Sequence, residues 1–193
     1  MPEPWGLLFR WLHFIFGITW IGMLYYLNLV NVRMMPSLDA ADRPKVIGAN
    51  LRRVMAWFRH TAWLTVLVGL VLIVMLYPPD RMGPTNANAY YTIYTGSLLG
   101  LIMAFNVWVF IWPRQKKIIA AAAAGEPADP AWGRIALYFS RANFTMSFPM
   151  LFFMGTANRG GLDWLGIIVT GVVLSALGLV AVFTVQKWWA PKF

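Results

Sequence analysis

The hydrophobic positions of this chain fall into five long runs, separated by short stretches rich in proline, glycine and charge. The runs cover residues 5–31, 56–77, 90–112, 135–157 and 163–187. Each is near the ~20 residues that an α-helix needs to cross the ~30 Å hydrocarbon core of a bilayer. The pattern predicts an all-α integral membrane protein, a single domain over residues 1–193 that forms a bundle of five transmembrane helices.

The first run has one polar face, although most of its surface is apolar. At about 100° per residue, seven residues fall within an arc of roughly 80° on a helix: Arg10, His13, Gly17, Trp20, Leu24, Asn28 and Asn31. A guanidinium and an imidazole that faced hydrocarbon would lose their hydrogen-bond partners. We therefore expect this face to point to other helices or to a bound cofactor.

Lysine and arginine are concentrated in alternate loops. Eleven of them lie in the segments 32–55 and 113–134 and in the C-terminal tail, whereas the loops 78–89 and 158–162 carry one each. Basic residues stay on the cytoplasmic side of a membrane protein. The pattern predicts an N-terminus outside and a cytoplasmic C-terminus, and it explains the net charge of +9 without a nucleic-acid partner.

Two further absences narrow the chemistry. The sequence contains no cysteine, which excludes disulfides, thiolate metal sites and covalent haem attachment within it. It also has no carboxylate pair, no Ser-His-Asp arrangement and no phosphate-binding loop. Hydrolytic and ATP-driven functions are therefore disfavoured.

Several sequence strings resemble the bacterial membrane-bound urate hydroxylases, in the region known as the urate oxidase N-terminal domain. The matching strings are Arg10-Trp11-Leu12-His13, Gly17 to Gly22, Trp57-Phe58-Arg59, Asn106-Val107-Trp108, Trp112-Pro113-Arg114-Gln115-Lys116-Lys117, Ser140-Arg141-Ala142-Asn143 and Pro149-Met150-Leu151-Phe152-Phe153-Met154. The opening Arg-x-x-His element is also similar to haem-linked protoporphyrinogen oxidases and to copper-resistance membrane proteins.

The resemblance implies a multi-pass protein of the bacterial inner (cytoplasmic) membrane that is redox-linked and passes electrons to a separate cytochrome c or to other membrane subunits. If the chain is an enzyme, it is then an oxidoreductase of the urate-hydroxylase type. We expect it to be a short stand-alone member, because it carries no C-x-x-C-H haem motif. Two alternatives stay open: a non-catalytic accessory subunit of a respiratory or photosynthetic complex, and a copper or small-solute carrier.

The two histidines, His13 and His60, are the candidate ligands of a b-type haem. With a rise of 1.5 Å per residue, their positions place them about 12 Å apart in membrane depth. Three possibilities therefore stay open: both histidines bind one haem, His13 alone binds a haem, or His13 has a structural role.

Other candidate cofactor-binding residues are the membrane amide Asn106 and three arginines, Arg10, Arg59 and Arg141. The arginines lie within or at the rim of spans, and no acidic residue inside a span can pair with them. Their partners are expected to be lipid phosphate, backbone carbonyls, a cofactor carboxylate or another subunit.

Met146, Met150 and Met154 form a stripe at four-residue spacing in the fourth run. Thioethers can bind Cu(I), but methionine stripes also serve as adaptable packing. Both readings stay open at this point.

Overall fold

The computed structural model describes residues 4–185, and within that range the chain is helical and contains no strand. Five long helices follow one another. We number them α1, Pro4–Ser37; α2, residues 43–76; α3, Ala87–Ala124; α4, Pro130–Thr156; and α5, Trp164–Val180, which continues as Ala181–Val185. Short 3₁₀ turns, Pro79–Arg81 and Ala157–Arg159, lie in the loops after α2 and α4.

Local sequence explains where several of these helices begin and end. The Asp129 carboxylate accepts a hydrogen bond from the Ala131 amide, and that of Asp163 accepts one from the Gly166 amide, so α4 and α5 each start with a capped first turn. Helix α3 ends at Gly125, whose φ of 72° places it in the left-handed region that favours glycine. The alanine-rich stretch before Gly125 thus extends α3.

The five predicted apolar runs all fall on long helices, and four of these helices are longer than predicted. Helix α1 continues to Ser37, α2 begins at residue 43, α3 reaches Ala124 and α4 begins at Pro130. Each extension lies at the end of the bundle opposite Pro4, where the basic segments 32–55 and 113–134 are found. The last predicted residues, 186 and 187, lie outside the described part of the chain.

Four of the described helices, α1, α2, α3 and α5, are long and apolar enough to cross a membrane. Helix α4 is long enough but more polar, because Ser140, Arg141, Asn143, Thr145 and Ser147 interrupt its apolar sequence. It packs against α1, α3 and α5. A helix surrounded by other helices can carry polar groups because those groups find partners inside the protein.

Cross-helix hydrogen bonds join α4 to its neighbours in the middle of the bundle. The Asn106 amide of α3 donates to the Asn143 carbonyl oxygen at 2.8 Å, and the Asn143 amide donates to the Met103 backbone carbonyl at 2.9 Å. On the other side, the Asn28 amide of α1 donates to the Ser140 hydroxyl at 2.8 Å. Helix α4 is therefore the centre around which α1 and α3 are held.

Helix packing is uneven around the bundle. Helix α1 packs closely along α2, and α4 packs closely along α3 and α5, whereas the contact between Arg52–Leu76 of α2 and Ala87–Phe105 of α3 is less extensive. The main hydrophobic core lies where these two groups meet, towards the end opposite Pro4, and is built around the fully buried Leu24, Met55, Phe58, Met103 and Val107. Near the Pro4 end α2 and α3 meet again, where the Tyr94 hydroxyl donates to the Tyr77 carbonyl at 2.7 Å and the Tyr77 and Tyr90 rings are in contact.

The asparagine pair gives a test of this arrangement. We expect Asn143→Leu to lower the free energy of unfolding by about 1–2 kcal/mol, because the Asn106 amide and the Met103 carbonyl each lose a buried partner. Denaturant-induced unfolding in mixed micelles measures the change. Thr156→Ala on the same helix is the matched control, because the Thr156 hydroxyl bonds only to Phe152 of its own helix. Equal stability of the two variants would contradict a structural role for the pair.

Candidate functional site

A cavity of about 380 Å³ lies between α1, α2, α3 and α4, in the half of the bundle that contains Pro4. Its wall is almost entirely apolar. Among the residues that line it, His13 is the one ionisable side chain, and Thr65 and Ser97 contribute hydroxyl groups. This volume is in the range of small-molecule and cofactor sites, which combine apolar walls with a few polar groups.

The His13 imidazole packs against α2 at a position where α2 has no side chain. A Cβ atom built on Gly69 would lie 2.9 Å from His13 Cε1 and 3.3 Å from Nδ1, which is closer than real Cβ atoms approach. The ring is near the Thr65 backbone carbonyl, one turn earlier on α2. Gly69 is thus the residue that allows an imidazole to lie between α1 and α2.

Two nitrogen atoms in the wall of the cavity have no hydrogen-bond partner. They are Nδ1 of His13 and Nε1 of Trp20, and both atoms are enclosed. Trp20 is only 2% exposed and lies two turns after His13 on α1. An enclosed polar group without a partner costs about 1–3 kcal/mol, and such groups call for an explanation in a native structure. Their common position at one cavity is consistent with a ligand that carries hydrogen-bond acceptors.

The methionine stripe is divided by the structure. All three methionines belong to the hydrophobic core or pack against it, but only Met150 and Met154 also line the same cavity as His13. One imidazole and two thioethers therefore share the cavity. Within the described residues there is no group of three or more His, Cys, Asp or Glu side chains that could hold a metal ion.

Arg10 lies one turn before His13 on α1, but its side chain is exposed and does not line the cavity. It is close enough to Tyr77, at the end of α2, for an electrostatic interaction. Arg10 therefore lies at the end of the bundle nearest the cavity rather than inside it.

His60 is far from His13. It is exposed, and its Nδ1 lies 2.8 Å from the Ala56 carbonyl of its own helix. Nine residues of α2 separate His60 from Gly69, against which His13 packs, and nine residues correspond to ~13 Å along a helix. The structure thus does not bring the two imidazoles to one site.

The other two candidate cations lie against aromatic rings. The Arg59 guanidinium lies 3.8 Å from the centre of the Trp112 ring, and that of Arg141 lies 5.1 Å from the centre of the Phe183 ring. A cation over an aromatic face is stabilised by the ring quadrupole. Neither arginine lines the cavity. Asn106, as described above, bonds α3 to α4.

Helical periodicity placed Trp20 on the same face of α1 as His13, whereas Ser97 and Gly69 were not predicted as parts of the site. Gly69 lies one turn after Thr65 in a stripe of small residues, a pattern that indicates helix packing. Nothing in the sequence shows that the packed group is an imidazole.

Comparison with known proteins gives one match. Residues 85–189, which span α3, α4 and α5, match the family described as urate oxidase N-terminal. No curated protein and no solved structure shows a significant match to the chain. The matched segment supplies Ser97, Met150 and Met154 to the cavity, while His13 and Gly69 come from the two helices before it.

The contact between Gly69 and His13 predicts a specific spectral change. In protein labelled with ¹⁵N-histidine, Gly69→Ala should shift the imidazole signals of His13 and leave those of His60 unchanged, because the added methyl group displaces only the ring that packs there. Gly17→Ala is the control, since a Cβ at Gly17 lies 3.8 Å from Thr65 Cγ2, an ordinary contact. Unchanged His13 signals in Gly69→Ala would show that the ring does not lie against α2.

Proposed function

Because the chain belongs to the urate oxidase N-terminal family, we propose that it is a redox-linked membrane domain that holds a lipophilic redox-active group at His13 and passes electrons to a separate partner. The observation that carries the proposal is the apolar cavity between four helices, with His13 as its one ionisable side chain. A redox group in such a site is shielded from water and lies within reach of an imidazole.

A haem is one group that the cavity's donors suit. His13 would supply an imidazole ligand, Met150 or Met154 a thioether, and Arg10, one turn from His13 at the end of α1, would face the haem carboxylates. Haem iron would provide one-electron transfer. The protein's part would be to fix the imidazole between α1 and α2 and to exclude water through the apolar wall.

The proposed setting is the bacterial inner membrane, with α4 as a fifth span inside the bundle and the Pro4 end facing outwards. The distribution of basic residues supports this orientation. It places the cavity in the outer half of the membrane and the basic ends of α1, α2 and α3 at the cytoplasm. The electron partner would be a separate cytochrome c or another membrane subunit.

The orientation can be tested because the sequence contains no cysteine. We expect a cysteine introduced as Thr85→Cys, in the loop before α3, to react with a membrane-impermeant maleimide in intact cells. Glu126→Cys, in the loop after α3, should react only after the membrane is opened. Both positions are exposed. Labelling in the reverse order would show that the N-terminus is cytoplasmic.

The redox group can be tested through the two histidines. Purified protein should show a reduced-minus-oxidised difference spectrum between the ultraviolet and the visible range, and His13→Ala should remove at least 90% of it, in line with about a tenfold or greater loss of ligand. His60→Ala is the matched control and should retain the signal, because His60 lies outside the cavity. Pure protein with no redox-dependent absorbance would contradict the proposal.

A further inference from the structure

We propose that the His13 cavity and a groove next to it form one binding site for a lipid-soluble quinone, with the quinone ring in the cavity and its isoprenoid tail in the groove. This inference rests on the proposed function and names the class of redox-active group. It concerns binding, and the argument comes from the donors in the cavity, the shape of the groove and the way the two are joined.

The wall of the cavity contains nitrogen atoms that can form hydrogen bonds at two positions along α1. The imidazole of His13 and the indole N–H of Trp20 are seven residues apart on α1, which corresponds to ~10 Å along the helix. A para-quinone carries carbonyl oxygens at opposite ends of a six-membered ring. With a hydrogen bond of about 2.9 Å at each oxygen, the two protein atoms that bind the oxygens are separated by a distance comparable to this rise along α1. Nδ1 of His13 and Nε1 of Trp20 have no hydrogen-bond partner among the described residues, so a ligand in the cavity can form a hydrogen bond with each of them.

The groove lies on the surface between α2 and α3 and has a volume of about 720 Å³. Its lining is apolar or aromatic throughout and includes Trp63, Phe105 and Trp108. Along α3 it runs from Leu101 to Val109, ~12 Å at 1.5 Å per residue. It is therefore an elongated site for hydrocarbon, and it contains no ionisable group among its lining residues.

The cavity and the groove are joined. Val66 of α2 and Leu101 of α3 line both of them. The junction lies between Arg52–Leu76 of α2 and Ala87–Phe105 of α3, two segments whose contact is less extensive than the contacts within the two groups of helices. A ligand with a compact polar head and a long apolar tail can thus occupy both spaces, and it can reach the cavity sideways from the bilayer.

The positions of the cavity and the groove along the bundle also suit a ligand with a polar head and an apolar tail. The cavity is in the half of the bundle that contains Pro4, and the groove runs from it along α3 towards the middle of the bundle. A quinone bound in this way keeps its ring nearer the membrane surface and its tail parallel to the lipid chains. A haem would leave the groove unused, and a lipid acyl chain would leave both nitrogen donors without partners.

Calorimetric titration of the purified full chain in detergent tests the proposal. The probes are decylubiquinone, which has a ring and a ten-carbon tail, and ubiquinone-0, which has the ring alone. We expect saturable binding of decylubiquinone with one site per chain. Trp20→Phe removes one hydrogen bond and should weaken both probes about 5- to 10-fold. Ile102→Trp narrows the groove at a residue that does not line the cavity, and it should weaken decylubiquinone by at least 5-fold while leaving ubiquinone-0 unchanged.

Matched controls come from the same helices. Leu98→Trp, one turn from Ile102 on α3, adds the same bulk at an exposed position outside both spaces and should bind both probes like the wild type. His60→Ala should do the same. Variants are compared only if their thermal unfolding midpoints match the wild type, and Ser97→Ala, on the opposite wall, replaces Trp20→Phe if that variant does not fold.

The outcomes separate this inference from the proposed function. Absence of saturable binding, or equal competition by n-decanol, would overturn the quinone site, and the latter would identify the groove as an acyl-chain site. A b-type haem at one per chain that is lost in His13→Ala would uphold the proposed function and overturn the quinone inference. Protein that shows no redox-dependent absorbance and binds neither quinone would overturn both.

Discussion

The fold depends on one constraint: every polar group placed inside an apolar bundle must find its partner in the bundle. Helix α4 carries most of these groups, and its asparagine and serine side chains bond to α1 on one side and to α3 on the other. The Tyr25 hydroxyl of α1 adds a further contact with the Ser147 hydroxyl at 3.0 Å. These bonds fix the position and rotation of α4, and α4 in turn sets the distance between the α1–α2 pair and the helices of the matched family segment.

That distance creates the cavity. At one end the two groups of helices are joined by a buried hydrophobic core, and at the other end Tyr77 contacts Tyr94; the space around His13 lies between these two contacts. The imidazole can stay inside because Gly69 leaves space for it on α2. A bundle that packed evenly along its whole length would have no room for a ligand near His13, so the uneven packing is itself the basis of the candidate site.

Much of the helical architecture could be predicted from the sequence because hydrophobic runs of ~20 residues have few structural alternatives. The position of His13 on an inward-facing surface also followed from helical periodicity. The lengths of α1 and α2 did not, because their polar extensions have no hydrophobic signal. The stacking of Arg59 on Trp112 and of Arg141 on Phe183 could not be predicted either, since it depends on which helices become neighbours. The separation of Met146 from Met150 and Met154 has the same cause.

Helix α3 is continuous over 38 residues, Ala87–Ala124, which corresponds to ~57 Å and is nearly twice the ~30 Å thickness of a hydrocarbon core. Its first half carries Ser97 in the wall of the cavity, and its last turns carry Arg114, Lys116 and Lys117. The cavity wall and this basic end are parts of one continuous helix. Any protein that binds the basic end therefore holds the same mechanical element that shapes the cavity.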